Sequence, residues 1–391
     1  MGVGRFVYTA ILPLMHDQAG LSAAAGARLA TANYVGYLVG ALAGIFAPAL
    51  VRSRLVLRGS LLVLTATLAA MPLTDGTAAW LALRLLAGVT SALVFVVAVN
   101  SLLHRLREHP AHVTGWAFGG VGAGIALSGL LVLALRSVAD WRVAWWAAAA
   151  LTALLARAAW NLRPESAPET PPADRAQAGP GTLRWFGALF VCYTLEGVGY
   201  IVAGTFLVAA VGQGSPGWVG TGAWVLVGLA AVPSAALWSW CGRRWARPDL
   251  LLAALLVQAV GIALPALVGG TAAALVSAVL FGGTFIGIST LTLATGAHLR
   301  FPRSVALLTA GYGVGQILGP LAVAPLLHDG YRGALLPASA VVLAAASAAV
   351  VLRIGFPHHM LVVRPPGTPD GDRRPRATPE ACPGAAPHPP G

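Results

Sequence analysis

The chain has 391 residues, 57% of them hydrophobic and only 10% charged, with a mean hydropathy of +0.77. Soluble domains carry roughly a quarter charged residues, and a chain this apolar could not cover its own surface in water, so the composition excludes a soluble protein. The net charge of +12 rests on 25 basic residues, all arginine, which sit in short stretches between apolar runs; membrane topology accounts for them better than a nucleic-acid partner does.

A membrane helix needs about 20 apolar residues to cross roughly 30 Å of hydrocarbon. In chain order, runs bounded by Arg, Pro or Gly predict spans near 29–50, 55–73, 78–103, 113–135, 141–162, 184–210, 217–240, 249–269, 271–297, 304–327 and 333–352. Ahead of them lies Val3–Met15, a shorter run that carries Arg5. With no charged leader and no small-residue cleavage site, that run does not read as a signal peptide.

Internal repetition says what it is. Gly2-Val3-Gly4 recurs as Gly197-Val198-Gly199, and at the same offset Gly88 falls on Gly283 and Arg105 on Arg300. The run Gly120-Val-Gly122-Ala-Gly124 recurs as Gly311-Tyr-Gly313-Val-Gly315. The expectation is an all-α membrane protein with twelve spans in two parallel six-helix repeats, a known transporter design. By the repeat, the first helix lacks the dozen residues that precede Gly197 in the seventh, so it is expected to be truncated at its amino end. The halves are residues 1–162 and 184–353. Between them 163–183, with five prolines and Glu165, Glu169, Asp174 and Arg175, reads as a linker. Residues 354–391, rich in Pro, Gly and Arg, read as a disordered tail.

Twelve spans put both termini on one side. That side collects nineteen arginines, among them Arg52, Arg54, Arg58, Arg243, Arg244 and Arg247; the other keeps Arg28, Arg136, Arg142 and Arg332. Positive charge favours the cytoplasmic side, so both ends are expected there, in the plasma membrane.

Three ionised residues lie inside spans, where a central charge costs roughly 2.5–3.5 kcal/mol on insertion scales. They are Arg5 in the first, Arg84 in the fourth and Glu196 in the seventh. Glu196 is about 18 Å along its helix from Arg184, near the midplane. A carboxyl whose hold on a proton depends on the approach of a guanidinium could load the proton in one conformation and release it in another. The expectation is therefore a shared polar cavity in which Glu196 and Arg84 couple protons; the alternative is a static ion pair locking helices together. Arg5, Tyr8, Asn33, Tyr34, Tyr200 and Gln316 are candidate substrate ligands, with Tyr37, Tyr193, Thr194 and Thr205 as polar neighbours. Taken singly, most of these also suit packing or interface anchoring.

The glycines read as packing. Gly36, Gly40 and Gly44 share one helix face, as do Gly120, Gly124 and Ser128, and Gly311, Gly315 and Gly319; Gly88 belongs with them through the repeat. No strand followed by Gly-x-Gly-x-x-Gly is present for a dinucleotide. His104, His109 and His112 lack the fourth group and rigid frame of a metal site, and Cys192, Cys241 and Cys382 have no paired spacing. No nucleophilic triad or phosphate-binding loop occurs. The expectations are no enzyme, no cofactor and no metal, with a small-molecule substrate, protons and the bilayer as partners of a monomer.

The opening GVGRFVYTAILPLM and the stretches TANYVGYLVGAL, YTLEGVGYIVAGTFL and TAGYGVGQILGP resemble the major facilitator superfamily, specifically its YbfB/YjiJ group, over residues 1 to about 353. Arg84-Leu-Leu-Ala-Gly88 is similar to the superfamily's fourth-helix motif, often linked to proton coupling, and Gly242-Arg243-Arg244 resembles the end of the signature loop between helices 8 and 9. The acid expected in that loop is missing, with Ser239 near its place, and Arg52, Arg54 and Arg58 have no carboxylate in the loop between helices 2 and 3. The resemblance implies that helices 1, 4, 7 and 10 line the cavity. It also implies members longer at the amino end.

Two transport readings follow. One is a proton-coupled carrier of a small organic molecule, with export favoured by a cavity of mixed apolar, aromatic and sparsely charged residues. The other is uniport or uptake of an anionic or polar metabolite held by Arg5 and Arg84. A non-transporting receptor or scaffold is the reading from another class.

Overall fold

Inside hydrocarbon each backbone N–H and C=O must find its partner within the protein, and a helix satisfies them within a single segment. The computed structural model describes residues 1–105, 111–162 and 182–357. Among them no strand occurs. The long helices are α1 (Gly2–Ala19), α2 (Ala23–Phe46), α3 (Arg54–Ala70), α4 (Thr77–Arg105), α5 (Ala111–Leu135), α6 (Trp141–Ala159), α7 (Thr182–Gly212), α8 (Trp218–Cys241), α9 (Arg247–Leu267), α10 (Gly270–His298), α11 (Ser304–Val323) and α12 (Leu335–Arg353). Met1–Phe356 form one compact unit. Among the described residues, ten helices are long and apolar enough to cross a membrane. Those ten do not include α1, which carries Arg5, His16 and Asp17, or α6, which carries Arg142 and Arg157. The linker expected at 163–183 lies outside the described residues up to the start of α7, and so does the tail from 358 onward. The same holds for His109, and the side chains of His104 and His112 are likewise undescribed.

Local chemistry sets the helix ends. Ser22 Oγ accepts from Ala25 N at 3.2 Å, and Asp140 Oδ1 from Val143 N at 2.9 Å, each satisfying an orphan donor of a first turn. Gly20 closes α1 at φ +64°, a conformation that favours glycine. The second span was expected from residue 29 but starts at Ala23, because Arg28 is exposed on the helix surface and interrupts nothing.

Between helices the contacts run through absent side chains. A Cβ on Gly36 would lie 2.0 Å from Leu85 O, and one on Gly40 2.4 Å from Val89 O, so α2 and α4 touch backbone to backbone. A Cβ on Gly88 would meet Asn33 O at 2.1 Å, and one on Gly282 would meet Val227 O at 2.2 Å. Asn33 and Gly88 move by the same step to Val227 and Gly282, so α8 packs on α10 as α2 packs on α4, and Gly88 corresponds to Gly282 rather than to the expected Gly283, whose Cβ position is open. Gly315 and Gly319 press α11 onto Thr194 O and Val198 O of α7, Gly311 meets Phe190 and Thr194 side chains, and Gly124 meets Gly2 Cα at 2.7 Å. Gly44 is looser, against the Val96 side chain at 3.1 Å. Gly120 departs from its expected packing role. It faces a groove shared with Met1, Gly2 and Phe118, and nothing lies within 4 Å of its Cβ position.

Two substitutions separate these positions. Gly36→Val collides with backbone that cannot rotate away, and should cost more than the roughly 1–3 kcal/mol of ordinary overpacking. Gly120→Ala meets open space and should stabilise by up to about 1 kcal/mol through helix propensity. Thermal unfolding of the detergent-purified variants, with the yield of monodisperse protein, measures both.

Candidate functional site

Arg5 on α1 and Arg84 on α4 share one interior region beside Tyr34. Arg5 is 6% exposed and Arg84 is 1% exposed, so neither reaches lipid or solvent. Arg5 Nη2 donates to Gln316 Oε1 at 2.7 Å, and Gln316 Nε2 donates to the Tyr200 hydroxyl at 3.2 Å. One α1 charge is thereby tied to α11 and α7. The Arg5 guanidinium carbon lies 3.9 Å from the Tyr37 ring centroid, 5.5 Å from Tyr34 and 5.1 Å from Phe6. Arg84 sits 4.6 Å from the Tyr8 ring centroid. Each such contact contributes of order 2 kcal/mol when desolvated, which is how cations can be held here by rings.

The rings do not finish the task. Arg5 Nε, Arg84 Nε and Arg84 Nη1 are buried without a hydrogen-bond partner, and the two guanidiniums are within electrostatic reach of each other. Among the described residues neither meets a carboxylate. A buried charge without a counter-ion costs several kcal/mol, and a like neighbour adds to it.

The remaining candidates form the frame. Asn33 Nδ2 donates to Arg84 O at 2.9 Å, leaving Asn33 Oδ1 buried without a partner, and the Tyr8 hydroxyl donates to Gly26 O at 2.9 Å. The Tyr34 hydroxyl pairs with Thr205 Oγ1 at 2.8 Å, and Thr9 Oγ1 donates to Gly204 O at 2.6 Å, closing α1 and α2 against the C-terminal half of α7. On that half every residue from Tyr200 to Val211 is buried. Beside it stands a column of nearly parallel rings. Tyr193 and Tyr312 are 4.2 Å apart, Tyr312 and Tyr200 5.5 Å, and Tyr200 and Phe285 5.7 Å.

Glu196 stands apart from both arginines. It is fully buried, and neither carboxyl oxygen has a hydrogen-bond partner. Its neighbours are Gln258 on α9, which faces it without reaching hydrogen-bond geometry, and Tyr193, Tyr200 and Tyr312. Both Gln258 side-chain polar atoms are likewise buried without partners. Tyr200 and Tyr312 are within electrostatic reach of Arg5 as well, so the tyrosines link the two charges.

The structure thus gathers Arg5, Arg84, Tyr8, Tyr34, Tyr200 and Gln316, and sets Glu196 against Gln258 instead. Two residues were missed from sequence. Gln258 had a signal, as the one amide in the apolar run Leu250–Leu267. Tyr312 lay inside a glycine stripe that was read as packing alone.

A profile of the family described as "Uncharacterised MFS-type transporter YbfB" matches residues 1–354. Among solved structures, nucleoside transporter NupG as a point mutant matches with a TM-score of 0.64 and 15% identity, over 91% of this chain and 96% of that one. A second NupG structure matches with a TM-score of 0.61 and 15% identity, over 90% and 97%. At that identity the likeness is one of fold. No curated protein matches the sequence.

If the two guanidiniums are an unfinished charge centre, removing one should relieve the ligand-free protein. Arg84→Met keeps the apolar stem and is expected to raise unfolding stability by of order 1 kcal/mol, read from thermal unfolding without added solutes. A loss of several kcal/mol would instead mean that Arg84 is structurally paired.

Proposed function

This chain belongs to the major facilitator superfamily, in its YbfB family, and we propose that it carries a small organic anion across the membrane by alternating access. It is a multi-pass membrane transporter and not an enzyme. The carrying observation is the pair Arg5 and Arg84: two buried guanidiniums, ringed by tyrosines, with no carboxylate partner among the described residues. An intramembrane charge marks a substrate or ion pathway by default, and here the missing partner is negative. The first six helices, 1–162, and the last six, 184–353, rock about this site. All twelve span the bilayer, both chain ends lie on the cytoplasmic side of the plasma membrane, and the contacts of Thr9 and Tyr34 with α7 close the outer face.

Glu196 is the proposed proton carrier, with Gln258 as its neighbour and the tyrosine column as its link to Arg5. Arg84 acts in coupling by holding the anion, since it does not pair with Glu196. A proton that travels with an anion offsets its charge, so the direction proposed is uptake. The export reading rested on a sparsely charged cavity, whereas two unpaired cations favour an anionic cargo. A nucleoside, neutral near pH 7, leaves both guanidiniums unanswered.

The test is flux in vesicles containing the purified protein, with a panel of labelled carboxylates, phosphate esters and nucleosides under an inward proton gradient. Anions are expected to enter and nucleosides not to. Arg84→Gln should weaken anion binding by about 2–5 kcal/mol, thirtyfold or more, because it removes one partner of a buried charge pair. Glu196→Gln should keep binding and lose gradient dependence. A neutral solute carried equally well by Arg84→Gln would overturn the anion reading, and unchanged gradient dependence in Glu196→Gln would remove Glu196 from coupling.

A further inference from the structure

The loop after α8 reads Cys241-Gly-Arg-Arg-Trp-Ala246, two arginines and no acid. Arg243 and Arg244 are exposed, and neither meets a carboxylate among the described residues. The next acid along the chain, Asp249, is taken by Arg353 Nε at 2.5 Å. Arg244 lies instead 5.8 Å from the Trp240 ring centroid. Running away from these charges is a groove of about 420 Å³ between α5 and α8, walled by Trp116, Pro233, Ala236, Leu237 and Trp240 and ending at Arg243. A depression of about 300 Å³ lined by Trp240, Arg243 and Arg244 continues it.

The two helices cannot close this groove by moving together, because they already touch: a Cβ on Gly115 would lie 2.8 Å from Ala236 Cα, and one on Gly119 2.5 Å from Val232 O. Trp116 is 55% and Trp240 52% exposed, both at the arginine-bearing end, where tryptophans settle at the level of lipid headgroups. The surface is therefore apolar along its length, aromatic at the headgroup level and cationic at its tip. It is too small for a folded partner. One acyl chain capped by a negative phosphate matches all three zones, whereas a zwitterionic lipid brings its own cation to the two arginines.

We infer that this groove binds an anionic phospholipid, with an acyl chain along Ala236 and Leu237 and the phosphate on Arg243 and Arg244. Because α5 comes from the first six helices and α8 from the last six, the lipid lies on the seam between them. The site is independent of the anion held by Arg5 and Arg84.

Full-length protein in neutral detergent is titrated with phosphatidylglycerol or phosphatidylcholine carrying brominated acyl chains, and tryptophan quenching is read. Phosphatidylglycerol should quench at a concentration about tenfold or more below phosphatidylcholine, as expected for two arginines near a lipid surface. The double variant Arg243→Gln/Arg244→Gln should erase that preference, and Arg243→Lys/Arg244→Lys should retain it. Equal quenching by both lipids in the native chain overturns the inference. So does a preference that survives in the glutamine variant, or full reversal by millimolar inorganic phosphate, which would make this a site for the free ion.

Discussion

Hydrocarbon offers an ionised side chain no water, and the rest of this molecule is arranged around that constraint. Two guanidiniums buried within reach of each other would ordinarily require a carboxylate between them. Here Tyr37, Tyr34 and Tyr8 turn ring faces to the cations, and Gln316 takes one N–H of Arg5. These groups moderate the charge without neutralising it. A carboxylate in the same place would have made a permanent ion pair, closed to any solute. Among the described residues the one buried acid, Glu196, sits instead across the tyrosines against Gln258, and on the proposed reading the charge centre is thereby left for an anion from outside.

The packing divides into two kinds of seam. Within α2–α4, α8–α10 and α7–α11, glycine brings backbone against backbone at distances no side chain could share, which makes each pair a stiff unit. Between α1 or α2 and α7 the polar ties are single hydroxyls, Thr9 on Gly204 O and Tyr34 on Thr205 Oγ1. Each of these is worth about 1 kcal/mol and can be exchanged for water. Across the halves α5 and α8 are the exception, since Gly115, Gly119, Gly122 and Gly228 bring backbone against backbone there as well, so the exchangeable polar ties are those of α1 and α2 on α7.

Much of the fold was legible because the solvent imposes it: runs of about 20 apolar residues must become helices, and glycine spacing marks the faces that touch. Errors gathered where a single residue misleads, as at Arg28, which snorkels from the first turns of α2, and at Gly120, which shares its neighbours' spacing but faces a groove. Arg5, Arg84 and Glu196 are all buried, and that they lie inside apolar spans was legible. Their mutual arrangement was not, because it depends on helix rotation and on partners as distant in sequence as Arg5 and Gln316. Gln258 entered the site for the same reason. Its place in an apolar run could be read, but the residue it faces could not.

The central claim is that the interior between Arg5 and Arg84 is short of one negative charge. Charge displacement on a solid-supported membrane measures this directly, with no pH gradient and no net turnover. Adding an organic acid that the protein binds should move negative charge into the protein, while its uncharged methyl ester moves none, and the displacement should fall sharply in Arg5→Gln. Equal, electrically silent binding of the acid and its ester would contradict the account.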